Sequence, residues 1–363
     1  MDKKNLEDAK RNKKDEFYTQ MIDIEKELKE YKPYFKDKVI YCNCDNPEFS
    51  NFWKYFELNF EFLEIKKLVA THYEVENPSY KLELIRTKVG TKRIKTPLKQ
   101  NGDFRSEECI EVLRGADIVV TNPPFSLFRE FVAQLMEYDK KFIIMGNINA
   151  ITYKEVFSLI KNNQVWLGHS IHSGDREFRV PNDYPLNASG YREDEYGNKY
   201  IRVKGVRWYT NLDYKERHED LVLYKKYNEK EYPKYVNYEA INVDKTKDIP
   251  IDYDGVIGVP ITFMDKYNPE QFEIIGLGKA GSCEFTSKRK MEILDKNGKP
   301  TGKYSTLGIL YRKYDAEKDK KPSYRDIETG ELYSSIYARI LIKYKGDNKN
   351  EWRACILYGL YLF

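Results

Sequence analysis

Chemistry concentrates at Thr121-Asn122-Pro123-Pro124-Phe125, where a short apolar run, ADIVVT, gives way to a helical pattern. The Asn122 side-chain oxygen and the Pro123 carbonyl are two acceptors within three atoms of backbone. Two consecutive prolines fix φ and remove competing N–H donors, so those acceptors keep their direction. Phe125 adds a flat apolar face on which a ring can stack. Such a corner suits an aromatic amine, for example N6 of adenine, whose lone pair is delocalised into the ring and which is therefore a poor nucleophile. Acceptors aimed at the amine hydrogens favour the more tetrahedral nitrogen of a group-transfer transition state. Asn-Pro also marks ordinary turns, and the tetrapeptide alone leaves that reading open.

The elements that must position this corner follow from periodicity. KVIYCNC, from Lys38 to Cys44, is β-branched and apolar and ends in a turn-prone Asp45-Asn46-Pro47. It reads as a buried parallel strand meeting a loop. Phe49, Phe52, Trp53 and Phe56 then recur at helical spacing. Leu63 to Tyr73, Ala116 to Thr121 and Phe142 to Met145 read as further strands, and Ser126 to Tyr138 as a helix with Leu127, Phe128, Phe131, Val132 and Leu135 on one face. Strands alternating with helices predict an open α/β sheet covered on both faces, beyond whose carboxyl strand ends ligands bind. Residues 80–101 interrupt the rhythm with two alternating runs around Val89-Gly90, an inserted β-hairpin. Beyond Val165 the strands become short and punctuated by Gly, Pro, Asn and Asp, as in EFRVP, YIRVKGVRWYT and GVPITF, which predicts a β-rich remainder.

Composition narrows the partners. The 62 Lys and Arg against 58 Asp and Glu leave a net charge of +4, which permits a polyanionic partner without demanding one. The 31 tyrosines could stack or bond phosphates, or merely fill half-buried strand positions. Cys42, Cys44, Cys109, Cys283 and Cys355 form no CxxC pair and have no histidine at zinc spacing, so a reduced cytoplasmic protein without a metal site is expected. The amino terminus lacks an apolar h-region and no uncharged apolar run approaches membrane-spanning length, so neither secretion nor a membrane is expected.

Asn122-Pro123-Pro124-Phe125 resembles the (D/N)PP(Y/F) motif of amino-methyltransferases, with Asn and Phe pointing to the adenine-N6 branch. Asp15-Glu16-Phe17-Tyr18-Thr19 resembles the segment that precedes the first strand in this family and contacts the methionine end of the cofactor. KVIYCNCD stands where the first cofactor loop should lie, and Gly102-Asp103-Phe104 resembles the segment whose Asp receives the cofactor's adenine amine. With GVPITFMDKYNPEQFEIIG further on, the order of segments is similar to the EcoRI-type adenine-specific DNA methyltransferase family across most of the chain. The resemblance implies a Rossmann-like sheet that binds S-adenosylmethionine and methylates an adenine flipped out of double-stranded DNA at a short defined site, in restriction-modification or DNA protection. It implies catalytic Asn122, Pro123, Pro124 and Phe125, and cofactor-binding Phe17, Tyr18, Thr19, Cys42, Asp45, Asp103 and Phe104.

Two features depart from the family pattern. The Gly-rich first loop is replaced by Tyr41-Cys42-Asn43-Cys44-Asp45, and Thr71, His72 and Tyr73 stand where an acidic residue would meet the ribose hydroxyls. His72 is read as a core or loop histidine. The expected organisation is a catalytic domain over 1–213 and a target-recognition region over 214–363, in which the basic, Tyr-rich SKRK and KKPSYR stretches would meet phosphates or remain solvated loops. Trp208 and Tyr209 are candidates for the second face of the flipped base, with core packing the competing role. A cognate restriction endonuclease would act separately, and a monomer is the default for modifying one strand at a time. The rival readings are an RNA adenine or protein glutamine methyltransferase, and a non-catalytic nucleic-acid-binding protein with a degenerate domain.

Overall fold

The computed structural model describes residues 17–44, 46–74, 79–181, 190–286, 289–306 and 308–346, and the chain divides into two compact units, Met1–Glu216 and Arg217–Phe363. In chain order the first unit contains β1 (Tyr18–Thr19), α1 (Met21–Leu28), β2 (Val39–Cys42), α2 (Asn51–Leu58), β3 (Lys67–Thr71), β4 (Tyr80–Thr87), β5 (Gly90–Pro97), α3 (Glu107–Arg114), β6 (Ile118–Thr121), α4 (Phe128–Glu137), β7 (Lys141–Asn147), α5 (Lys154–Lys161), β8 (Trp166–Leu167), β9 (Asp175–Val180), β10 (Arg192–Glu193), β11 (Lys199–Lys204) and β12 (Val206–Thr210). Eight of these strands form a mixed sheet in the order β5-β4-β3-β2-β6-β7-β12-β8. Its middle is parallel, β2 pairing with both β3 and β6 and β6 with β7. Antiparallel strands flank it on each side.

The residues explain this arrangement. VIYC, KLVAT and IVVT are apolar on both faces and almost wholly buried, as strands with helices on either side must be. Ile40, Cys42, Leu68, Ala70, Ile118, Val120, Ile143 and Met145 share one core with Ile24 and Leu28 of α1 and with Phe52, Trp53 and Phe56 of α2. On the other face the Phe128 ring of α4 lies 4.9 Å from Tyr209, and Cys109 Sγ of α3 is 3.6 Å from Thr71 Oγ1. Gly146 in β7 is required by that packing, since a Cβ there would run into the Phe128 ring. Ser50 Oγ caps α2 by accepting from Phe52 N–H and Trp53 N–H, and Ser106 Oγ caps α3 through Cys109 N–H. A second, smaller sheet runs in the order β1-β9-β11-β10.

Two expectations about local structure change. The strand expected from Leu63 begins only at Lys67, because residues 60–64 form a turn with Glu64 at positive φ. Trp208 and Tyr209 lie on β12, the next-to-last strand of the sheet, between β7 and β8, and are 1% and 0% exposed. Tyr209 OH donates to the Asn147 carbonyl and Trp208 packs on Phe52. Both are core residues, and neither offers a face to a base.

The second unit contains β13 (Ile241–Asn242), β14 (Ile257–Pro260), β15 (Phe272–Leu277), β16 (Lys290–Leu294), β17 (Pro300–Thr306), β18 (Tyr311–Lys313), β19 (Tyr324–Asp326), β20 (Leu332–Ser335) and β21 (Arg339–Tyr344). They form one sheet ordered β13-β14-β21-β15 and another ordered β17-β16-β19-β20-β18. Small cores around Leu310 and Leu341, and around Met291, Tyr311 and Tyr333, hold them. A buried pair, Arg312 with Asp319 at 2.7 Å, is completed by Ser334 Oγ. No helix among the described residues is long and apolar enough to cross a membrane.

Candidate active site

The parallel strands create the site. From β2 the chain passes through α2 to β3 on one side, whereas β6 lies on the other side of β2, so the direction of winding reverses between β2 and β6. At such a reversal the loops leaving the two carboxyl ends diverge and open a crevice. The register sets Tyr41 opposite Val119, which carries Cys42 and Asn43 alongside Val120 and Thr121 at that end. Adjacent strands lie about 4.8 Å apart, so one small ligand spans both ends.

Asn122 is 6% exposed. Its Nδ2 donates to the Phe17 carbonyl at 2.7 Å. A carbonyl only accepts, so the amide nitrogen must face Phe17 and Oδ1 must face away. That oxygen is buried and, among the described residues, makes no hydrogen bond. Leaving a buried acceptor unmet costs about 1–3 kcal/mol, so it marks a place where a ligand donor belongs. Among the described residues, Thr121 Oγ1, also buried, lacks a partner beside it, as does His72 Nδ1 just past the end of β3. Within the corner the Pro124 carbonyl is engaged by Leu127 N–H at 2.9 Å. Phe125 is half-buried, with its ring 5.9 Å from Phe17 in an edge-on contact.

The Phe17-Tyr18-Thr19 segment is bound to this corner rather than lying free beside it. Phe17 also packs on Phe178 at 5.8 Å, and β1 pairs with β9 through Tyr18 opposite Arg179. The Thr19 carbonyl accepts from Asn51 Nδ2 at 2.7 Å, and Thr19 Oγ1 donates to Met145 Sδ at 3.2 Å. Of the three side chains only Tyr18 is partly open, beside the half-exposed Phe49. Cys42 is buried at the end of β2, and Asp45 lies outside the described residues.

The Asp103-Phe104 loop is laid against the end of β3. Asn101 accepts from Glu74 N–H at 2.9 Å, and Gly102, at φ +75°, rests on the His72 carbonyl where no Cβ could fit. Asp103 meets Arg105 with both oxygens, Nε at 2.9 Å and Nη2 at 2.7 Å. The Arg105 backbone N–H also donates to Asp103 Oδ1, at 2.9 Å. Phe104 is buried edge-on to Phe131 at 5.1 Å. His72 has Nε2 2.9 Å from Glu74, and burial pushes its imidazole below the ordinary histidine value although Glu74 opposes the shift.

Sequence reasoning missed Asn51 and the Phe17 carbonyl, and gave the Thr121 hydroxyl no role. An anchor 105 residues from its partner leaves no local signal. Elsewhere in this unit Glu30, His169 and Glu216 bring potential ligand atoms within 4.8 Å of one another. The His169 ring, however, turns Nε2 toward Glu30 at 3.9 Å and Nδ1 toward Glu216 at 3.5 Å, a different nitrogen to each carboxylate.

Comparison with known proteins identifies the family. The family model described as adenine-specific methyltransferase EcoRI matches residues 5–345. Type II methyltransferase M.EcoRI of Escherichia coli is 52% identical over 291 residues, 76% of this chain and 89% of the relative. M.MgeORF184P of Mycoplasma genitalium is 40% identical over 275 residues, 74% of this chain and 84% of its own, and M.MpnI of Mycoplasma pneumoniae is 41% identical over 274, 74% and 83%. No solved structure matches. The chain belongs to the EcoRI family of adenine-specific methyltransferases, and is an enzyme of that class.

Proposed function

We propose that the chain transfers a methyl group from S-adenosylmethionine to N6 of an adenine rotated out of duplex DNA, with Asn122 to Phe125 as the receiving corner. The observation that carries this reading is the Asn122 amide, whose nitrogen is tied to the Phe17 carbonyl while its buried oxygen lacks a donor. An amine hydrogen is such a donor, and the Pro123 carbonyl takes the other. Base flipping is needed because N6 cannot reach a side-chain pocket from within the stack. Phe125 then stacks on the extruded ring.

The carboxyl ends of β2, β3 and β6 suit a polar cofactor, since Thr121 Oγ1 and His72 Nδ1 are buried there without partners. Phe17, Tyr18, Thr19, Cys42, Asp45, Asp103 and Phe104 would hold it, Thr19 through backbone because its hydroxyl is engaged with Met145. Bound there, S-adenosylmethionine supplies a sulfonium-activated methyl group. The protein's own task is alignment of the amine and withdrawal of its hydrogens from the ring plane. The sheet of the first unit is read as Rossmann-like, and target recognition is assigned to the second unit.

Asn122→Ala tests this directly. Turnover on DNA should fall about 10²- to 10³-fold, as when one preorganised hydrogen-bonding group is removed from a transition state. Calorimetric titration with S-adenosylmethionine should give unchanged affinity. A parallel loss of cofactor binding, or retained turnover, would remove the proposed role.

A further inference from the structure

We propose that the β16–β17 hairpin is the element of the second unit that engages duplex DNA; this rests on reading DNA as the substrate. Every residue of β17 but Ser305 is exposed, so neither face of the strand is packed against a core. It is an edge strand, paired only with β16, and a bulge opposite Ile293 places Thr301, Gly302 and Lys303 outside the ladder. The hairpin carries Lys290, Lys296, Lys299 and Lys303, all exposed, and among the described residues none of the four makes an ion pair. Its two acids offset only part of that charge. Glu292 is buried against Arg325. The Asp295 carboxyl is held below its usual range by the backbone N–H groups of Lys299 and Asn297, which it accepts at 2.8 and 2.7 Å in the turn. Beside the tip, Lys321 donates to the Asp295 carbonyl and brings a fifth ammonium to the same place.

The rest of this sheet treats its cations differently. Arg289 pairs with Asp326, Arg312 with Asp319, Arg325 with Glu292 and Lys313 with Glu331. Among the described residues on the strands of this sheet, the cations outside the β16–β17 ribbon are paired, and the unpaired ones gather on that ribbon. A two-stranded ribbon fits the B-DNA major groove, about 12 Å wide. Lysines along such a ribbon reach phosphates, while Tyr304, 51% exposed under Lys290 Nζ at 5.0 Å, presents a ring and a hydroxyl to sugar or base edges.

The test uses the full chain and sheared unmethylated genomic DNA, with binding followed by anisotropy across a salt series. The triple variant Lys296→Ala, Lys299→Ala, Lys303→Ala should bind at least tenfold more weakly, and its log–log salt slope should shrink by about 2 to 3, near 0.9 per lost phosphate contact. Its cofactor affinity and melting midpoint should stay at the parent values. The corresponding Lys→Arg triple should bind as the parent does. An unchanged slope in the alanine triple overturns the proposal, and so does increased self-association alone, which is what edge-guarding lysines would produce. If instead the unaltered protein neither binds nor methylates DNA, the substrate reading itself fails, and the two failures are distinguishable.

Discussion

The corner at Asn122 and the hairpin at Lys290 to Thr306 both hold polar groups without partners, for opposite physical reasons. At the corner the unmet groups, Asn122 Oδ1 and Thr121 Oγ1, are buried, and the amide is fixed by a carbonyl from a distant segment. In a dry, preorganised setting each hydrogen bond is strong and directional, which is what discriminating one amine and aligning it requires. On the hairpin the unmet groups are ammonium ions in water, weak individually and undirected, suited to a polyanion with its counterion atmosphere. Chemistry and affinity are therefore separable, and substitutions in the two regions should divide between turnover and DNA binding.

The largest expected effect breaks the corner without removing its oxygen. In Asn122→Asp the atom facing the Phe17 carbonyl at 2.7 Å becomes a second oxygen, which repels that carbonyl unless it carries a proton. Turnover near neutral pH should drop about 10²-fold or more, comparable to loss of a preorganised group. It should recover as pH falls, because the protonated acid donates to Phe17 as the amide does. A pH–rate profile parallel to that of the parent would show that the Phe17 contact does not orient residue 122.

Phe125→Ala should come next. Losing a stacking face weakens capture of an unpaired target base by about 1–3 kcal/mol. Equilibrium binding to duplexes with a mismatched target position measures it, and unchanged affinity would remove Phe125 from the base's surroundings. Acid provides a third test, since the end of β3 carries a buried histidine whose pKa is lowered by burial, and the hairpin carries no histidine. Burial lowers the His72 pKa in the fold, so the unfolded chain binds more protons below its ordinary value of about 6.5. Stability is fully present above that pH and declines as pH falls through the window below it. Melting midpoints between about pH 7.5 and 5.5 should fall more steeply for the parent than for His72→Asn, and equal slopes would contradict the assignment.

The smallest effect is expected at the other basic hairpin, β4–β5. There Arg93 meets Glu57 at 2.7 Å and Lys95 meets Glu48 at 3.1 Å, both partly exposed. Removing both cations should cost only about 0.2–1 kcal/mol per pair in denaturant unfolding and leave the salt slope of DNA binding untouched. A changed slope would mean that paired cations also serve the DNA and would blur the contrast.

Much of the first unit was readable because its signals are local. ADIVVT followed by two prolines marks a strand end, and Phe128, Phe131, Val132 and Leu135 repeat at helical spacing, all buried as expected. What could not be read depends on residues remote in sequence. The Phe17 anchor is 105 positions from Asn122. VRWYT looks half-exposed because it contains Arg and Thr, yet all five residues are buried, with Arg207 bonded to the carbonyls of Val206 and His172. The SKRK and KKPSYR stretches look alike as charge, but Arg289 and Arg325 are neutralised by Asp326 and Glu292, 37 and 33 positions away. Only the fold separates a paired cation from an available one.

A crystal structure of the protein with duplex DNA and a non-reactive cofactor analogue bears most directly on the central claim. The account predicts an extruded adenine whose exocyclic nitrogen lies about 2.7–3.2 Å from Asn122 Oδ1, with Phe125 against the ring and Nδ2 still on the Phe17 carbonyl. A target base left in the helix, or seated elsewhere while Asn122 Oδ1 bonds to the protein itself, would contradict it.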